Sequence, residues 1–230
     1  VVLDPFCGCG TTIAVAERLK RKWIGIDITH LAIALVKNRL EDTFGNKVEY
    51  KVIGEPVDLS SAHALALQNR YQFQWWALSL IGARPVDKKK KGADRGIDGV
   101  RYISATPWAD RPRVGKSKQI KMVVQVKSGH VSVKDIREFR TVMDNAKAQI
   151  GVFLTLDNPT RPMMEEALAA GYYKPSIVGD AQYVQCPRIQ ILTIEELLSG
   201  KKVQYPIHEN VTFRRAERVE EDQKEQLELL

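Results

Sequence analysis

Along the chain, apolar positions alternate between short continuous runs and helical spacing, a pattern that predicts an α/β protein. Residues 1–3 form a short buried-strand run. Ile13, Ala14, Ala16 and Leu19 suit a helix opening at Thr11. Residues 23–27 read as a second strand ending in an acid, residues 31–40 as a second amphipathic helix, and residues 48–52 as a further strand. The stretch GEPVDLSS (residues 54–61) has turn and linker composition, and a domain boundary is expected there.

A second unit follows. Phe73, Trp76, Ala77, Leu80 and Ile81 recur at helical spacing and are expected in a core, with Gly82 closing the helix. After four lysines at 88–91, residues 97–103 and 121–127 read as two strands around a charged loop. Residues 133–149 predict a helix with Ile136, Phe139, Met143 and Ala146 on one face, and residues 150–155 an apolar strand. Thr160 opens another helix with Pro162 in its first turn and Gly171 at its end. Thr193 and Glu196 form a capping box before a short helix stopped by Gly200. The last stretch is charged and Gln-rich, and is expected to be frayed helix or disorder.

Composition narrows the function classes. With 44% hydrophobic residues in 230, the chain can bury a real core in one large domain or two small ones. Thirty-five basic residues against 28 acids leave +7, which favours an anionic partner such as nucleic acid; a solvated basic surface is the plain alternative. Three cysteines, at 7, 9 and 186, make no disulfide framework and point to a reducing cytoplasm. No apolar run reaches the ~18 residues of a membrane span, and no signal-peptide pattern opens the chain, so no membrane partner is expected.

Two motifs carry chemistry. The first is DPFCGCGTT, residues 4–12. A glycine-rich strand-to-helix turn lets backbone N–H groups approach a ligand, and an acid ending the next strand, here Asp27, is placed to accept ribose hydroxyls. The motif resembles the S-adenosylmethionine-binding turn of DNA amino-methyltransferases, with Asp4, Pro5, Phe6, Gly8, Gly10, Thr11 and Thr12 matching and Gly25-Ile26-Asp27 following. That resemblance implies a Rossmann-like segment in which Asp4, Phe6, Gly8, Gly10, Thr11 and Asp27 bind S-adenosylmethionine. The family also carries a Pro-Pro-aromatic catalytic motif, whereas none of the ten prolines here adjoins another. In a circularly permuted branch that motif precedes the cofactor turn. The resemblance therefore implies the C-terminal part of such an enzyme, its sequence starting in the middle of a domain.

The second motif is split between GADRGIDGVRYI (residues 92–103) and MVVQVKSG (residues 122–129). Metal-dependent phosphodiester cleavage needs a carboxylate and a second oxygen on Mg²⁺, with a cation near the phosphate. Gln125 and Lys127 alternate onto one face of their strand, Met122, Val124 and Val126 onto the other, and Asp98 comes from a neighbouring strand between Gly96 and Gly99. Singly, each residue reads as a turn or an exposed edge. Together they resemble the PD-(D/E)xK nucleases, and more closely the Mrr-like restriction endonucleases, whose preceding helix is matched at Phe73-Gln74. The resemblance implies catalytic Asp98, Gln125, Lys127 and Gln74, with Asp98 and Gln125 as metal ligands. Gln125 and Gln74 stand where many relatives carry acids, which lowers metal affinity; Asp94 or the scissile phosphate is expected to make up the deficit. The lysines at 88–91 are expected to contact phosphates or to form a solvated loop.

The organisation expected is a methyltransferase segment at 1–52, a linker at 53–65, an endonuclease domain with a mixed central sheet flanked by helices at 66–200, and a charged tail at 201–230. The function expected is that of a restriction–modification polypeptide: a Mg²⁺-dependent endonuclease acting on double-stranded DNA, as a dimer or as two bound copies because two strands need two sites. The alternatives are a methyltransferase portion whose appended domain only binds DNA, and a basic DNA-binding module in which neither half is active.

Overall fold

A computed structural model describes residues 1–86, 96–104, 119–174 and 185–206. The lysines at 88–91, Asp94 and the tail from 207 onward lie outside the described residues. At the N-terminus β1 (Val2–Asp4) and β2 (Trp23–Gly25) pair in parallel, Val2 opposite Trp23 and Asp4 opposite Gly25, with α1 (Thr11–Arg18) crossing between them. Helix α2 (His30–Phe44) is capped by Thr29, whose Oγ1 accepts the Ala32 N–H at 3.2 Å. Ala32, Val36 and Leu40, spaced by four, turn inward; Val36 and Leu40 pack with Ile13 and Cys7. Gly10 permits this packing: it sits at φ 77°, and a Cβ there would meet Val36 Cγ2 at 2.7 Å. The other face of the strand pair is open, with Leu3 61% and Ile24 53% exposed.

Residues 48–52 form no strand. The Tyr50 ring contacts Trp23 at 6.3 Å between centroids, and 50–55 and 23–30 line a shared cleft of about 670 Å³, so space rather than a backbone ladder separates them. Within the stretch expected as linker, α3 (Leu59–Gln68) begins at an Asp58–Ser61 capping box and buries Ala62 and Ala66. Alanine-rich helix propensity and an apolar stripe outweigh the loop-like composition that precedes them.

Helix α4 (Arg70–Leu80) starts at Asn69, whose Oδ1 accepts the N–H groups of Tyr71 and Gln72. It buries Phe73, Trp76 and Ala77 as the spacing predicts, but Leu78 rather than Leu80 is the buried leucine. Leu78 reaches under the sheet at Gly99, where a Cβ would meet its Cδ2 at 2.4 Å, and Leu80 is left at the surface. The close approach that Gly99 allows is thus made by a core side chain.

The central sheet has five strands in the order β3 (Arg84–Pro85), β4 (Gly99–Ser104), β5 (Gln119–Lys127), β6 (Ile150–Thr155) and β9 (Ile189–Thr193). The β3–β4–β5 pairings are antiparallel and the β5–β6–β9 pairings parallel, which makes it mixed. Alternation sorts its side chains onto two faces. Ile120, Met122, Val124, Ile150, Val152, Leu154 and Leu192 pack with α3 and α4. Val123, Phe153, Ile189 and Ile191 pack with α5 (Val133–Asn145) and α6 (Arg161–Ala169). A short ribbon, β7 (Tyr172–Tyr173) with β8 (Cys186–Pro187), a 3-10 turn at Gly45–Lys47 and α7 (Ile194–Leu198) complete the described elements. The start of the expected tail is docked: Val203 is buried, Gln204 exchanges two 2.8 Å hydrogen bonds with Gln190, and Tyr205 lies under the Arg101 guanidinium. Paired amide groups and a buried valine hold these residues against the sheet despite their charged neighbours.

Candidate active site

Asp98 ends a turn whose Gly96 stands at φ 111°. Its backbone already runs in the sheet: its N–H donates to Val124 O at 2.8 Å, and its carbonyl accepts the Val86 N–H at 3.0 Å. The side chain crosses to β5, where Oδ2 accepts the Val126 N–H at 2.9 Å, between Gln125 and Lys127. Strand alternation turns these two away from the Val124 face and towards the side on which α5 packs. One cleft of about 500 Å³ is lined by Asp98, Gln125, Lys127 and, from α4, Gln74, with Arg70 one turn before it. The four residues expected to be catalytic are thus brought to a single cleft.

Within it, Gln125 Oε1 is buried and has no hydrogen-bond partner among the described residues. A buried amide oxygen is costly to leave unpaired, and a hard cation takes such oxygens readily. Beside Asp98, this donor set fits Mg²⁺, with one carboxylate rather than several: the described residues hold no cluster of three His, Cys, Asp or Glu suited to a metal.

Lys127 has a partner that the motif did not reveal. Its Nζ lies 3.1 Å from Asp135 Oδ1. Asp135 stands in the first turn of α5, and its Oδ2 accepts both the backbone N–H and the hydroxyl of Ser132, each at 2.9 Å. Burial pushes the Asp135 carboxyl up, but the bonds from Lys127 and Ser132 outweigh it and hold it below its ordinary value. The signal was present as Ser-x-x-Asp just after the Gln-x-Lys strand, a capping box that reads as purely structural.

At the N-terminal end, the cofactor-motif residues gather where β1 and β2 end. Gly8 stands at φ 48°, and a Cβ there would meet nothing nearer than Phe6 O at 3.9 Å, so the loop is open to close approach. Phe6 is 84% exposed, Asp4 Oδ1 accepts its N–H at 3.2 Å, and the Thr11 hydroxyl accepts from Arg39 at 3.1 Å. Asp27 binds the loop itself: Oδ2 accepts the Gly8 N–H at 3.0 Å, and Oδ1 accepts the N–H and hydroxyl of Thr29, both at 2.9 Å. Burial raises its pKa, and these bonds together bring it below the ordinary carboxylate value. With three of about four acceptor sites in use, Asp27 takes both ribose hydroxyls only by giving up a bond to the loop. The open glycine turn fits S-adenosylmethionine; the resting Asp27 is turned inward.

Comparison with known proteins finds a similarity in each of two stretches of the chain. Residues 1–38 match the DNA methylase family model, and residues 72–178 match the restriction endonuclease family model. The chain therefore carries a segment similar to DNA methylases ahead of a region similar to restriction endonucleases. Among individual proteins it is similar to the type II methyltransferase M.BamHI of Bacillus amyloliquefaciens, 47% identical over 55 residues, which cover 24% of this chain and 12% of that one. It is similar also to M.EcaI of Enterobacter cloacae, 51% identical over 39 residues, covering 17% and 9%, and to M.HpaI of Haemophilus parainfluenzae, 40% over 62 residues, covering 26% and 20%. The chain thus spans a fifth or less of each of these relatives. Among solved structures, the MspJI restriction endonuclease in complex with a 27-mer oligonucleotide aligns over 73% of this chain and 39% of that one, at 12% identity and a TM-score of 0.41.

Proposed function

We propose that the Asp98–Gln125–Lys127 cleft hydrolyses phosphodiester bonds of double-stranded DNA with Mg²⁺ bound. The observation that carries this reading is that Gln125, whose Oε1 is buried and without a partner among the described residues, lines the same cleft as Asp98. Gln125 Oε1 and the Asp98 carboxylate would hold the ion, which would supply Lewis-acid activation of the phosphate and of water. Lys127 offers its ammonium to the charge that builds on the phosphate, and Gln74 faces the same space from α4. A water oxygen bonds to phosphorus, the ester P–O bond breaks, and the leaving oxygen takes a proton as the water loses one. The excess of basic residues and the restriction-endonuclease match support DNA as the partner. Cutting both strands calls for two such clefts, hence a homodimer.

In this reading residues 1–52 are the cofactor-binding end of a DNA amino-methyltransferase, in which Asp4, Phe6, Gly8, Gly10, Thr11 and Asp27 hold S-adenosylmethionine. Residues 53–65 join it to the nuclease at 66–200, with α3 already packing on the nuclease sheet from Leu59, and 201–230 form the tail, its start docked at Val203. No helix among the described residues is long and apolar enough to cross a membrane, and the three free cysteines suit a reducing cytoplasm. Supercoiled plasmid incubated with the chain is nicked or cut with Mg²⁺ or Mn²⁺ and spared with EDTA. That Asp98 is the one carboxylate among the described residues lining the cleft favours the rival reading, a domain that only binds DNA. That reading prevails if no DNA, methylated or not, is cut with any of several metals.

A further inference from the structure

Exposed lysine–carboxylate pairs wander and contribute little, because two long side chains must be held in one geometry. The Lys127–Asp135 pair differs in that one partner is already fixed. Asp135 is held by two bonds from Ser132 at the start of α5, and its side chain is 21% exposed against 36% for Lys127. Lys127 stands on the last residue of β5, at the end of a flexible four-carbon stem, where nothing else in the strand fixes its head. Its ammonium lies 3.1 Å from Asp135 Oδ1, and Lys127 is among the residues lining the cleft shared by Asp98 and Gln125.

We propose that Asp135 is a positioning residue for Lys127: anchored by the α5 capping box, it holds the ammonium at the cleft so that the cation stands in place before DNA arrives. This rests on the nuclease reading above. A donor already oriented costs no reorganisation when phosphate charge develops, whereas a free lysine must be gathered in first. The helix start thus serves the reaction through Lys127, with no contact of its own to the reacting atoms.

Asp135→Asn tests this, since an amide oxygen can still accept from Ser132 while the charge is lost, and Asp135→Glu restores the charge at a capping-box position that Glu favours. In the full chain, acid-anhydride labelling of the Lys127 amine, read by peptide mass spectrometry, speeds up at least about twofold in Asp135→Asn. Plasmid cutting with Mg²⁺ falls about 10- to 100-fold in kcat with KM for DNA within about twofold, as for a misplaced catalytic group, and Asp135→Glu cuts faster than Asp135→Asn. Parental labelling and cutting in Asp135→Asn overturn the proposal, and so does a rise in KM at unchanged kcat, which makes Asp135 a DNA-binding group. A parent chain that cuts no DNA sinks the nuclease reading and the positioning role with it. The labelling arm then tells that failure apart from an ion pair that does not form.

Discussion

Gln72 Oε1 accepts the backbone N–H of His30 at 3.1 Å, and the same side chain's Nε2 donates to the Ile28 carbonyl at 3.1 Å. One amide thereby bridges α4 to the turn that follows Asp27, while Gln74, two residues on, lines the candidate nuclease cleft. Gln72→Ala removes both bonds, each of which contributes about 0.5–1.5 kcal/mol net. The expected outcome is a loss of about 1–3 kcal/mol in denaturant unfolding, with faster amide exchange at His30. Unchanged exchange at His30 defeats the bridge.

Asp98→Ala removes the one carboxylate assigned to the metal, and Lys127→Ala the cation, so each abolishes plasmid cutting. DNA binding survives both, because backbone phosphates supply most of the affinity. Gln125→Glu adds charge at the buried oxygen, so it keeps activity and lowers the Mg²⁺ concentration needed. If Gln125→Ala cuts like the parent while Gln125→Glu is inert, Gln125 holds no metal.

Packing gives a test independent of chemistry. Gly99→Ala drives a methyl group into Leu78 Cδ2 at 2.4 Å and against Arg84 O at 3.3 Å. Overpacking of this kind costs about 1–3 kcal/mol. Gly129→Ala meets nothing within 4 Å and is expected to be neutral or slightly stabilising. Equal melting temperatures for the two variants contradict the close approach of α4 to β4.

The Asp135 carboxyl titrates below its ordinary value of 3.8, since the bonds from Lys127 and Ser132 outweigh its burial. A group whose folded pKa is depressed stabilises fully above its unfolded pKa and loses that contribution as pH falls through the folded one. The parent therefore melts above Asp135→Asn near neutrality, and the gap closes as pH drops below 3.8. Thermal melts of both chains between about pH 2 and pH 7 check the sign. A gap that widens in acid refutes it.

What the sequence disclosed follows from how local each signal was. Alternation around Gln125 and Lys127 needed only strand geometry, and the sheet bears it out with Val124 and Met122 packed on the opposite face. Caps at Thr193 and the glycine after α4 were equally local. Leu78 was missed because its burial depends on a glycine twenty-one residues away on β4, a pairing that helical period cannot report. Asp135 escaped notice because a capping box explains it without Lys127, and only the fold brings the strand end to the helix start. Residues 48–52 show the converse: alternation is necessary for a strand, but a ladder needs a neighbour at hydrogen-bonding distance.

Among the described residues, one face of the N-terminal strand pair is left uncovered. Parallel strands are ordinarily covered on both sides, yet Leu3, Ile24 and Ile26 meet water here. Such a surface takes up hydrophobic dyes and draws molecules together as concentration rises. Sulfate strengthens that attraction, while added salt of any kind weakens contacts between the basic residues and DNA. On the nuclease reading, salting-out conditions are therefore expected to favour association through the strand pair while weakening binding to the polyanion.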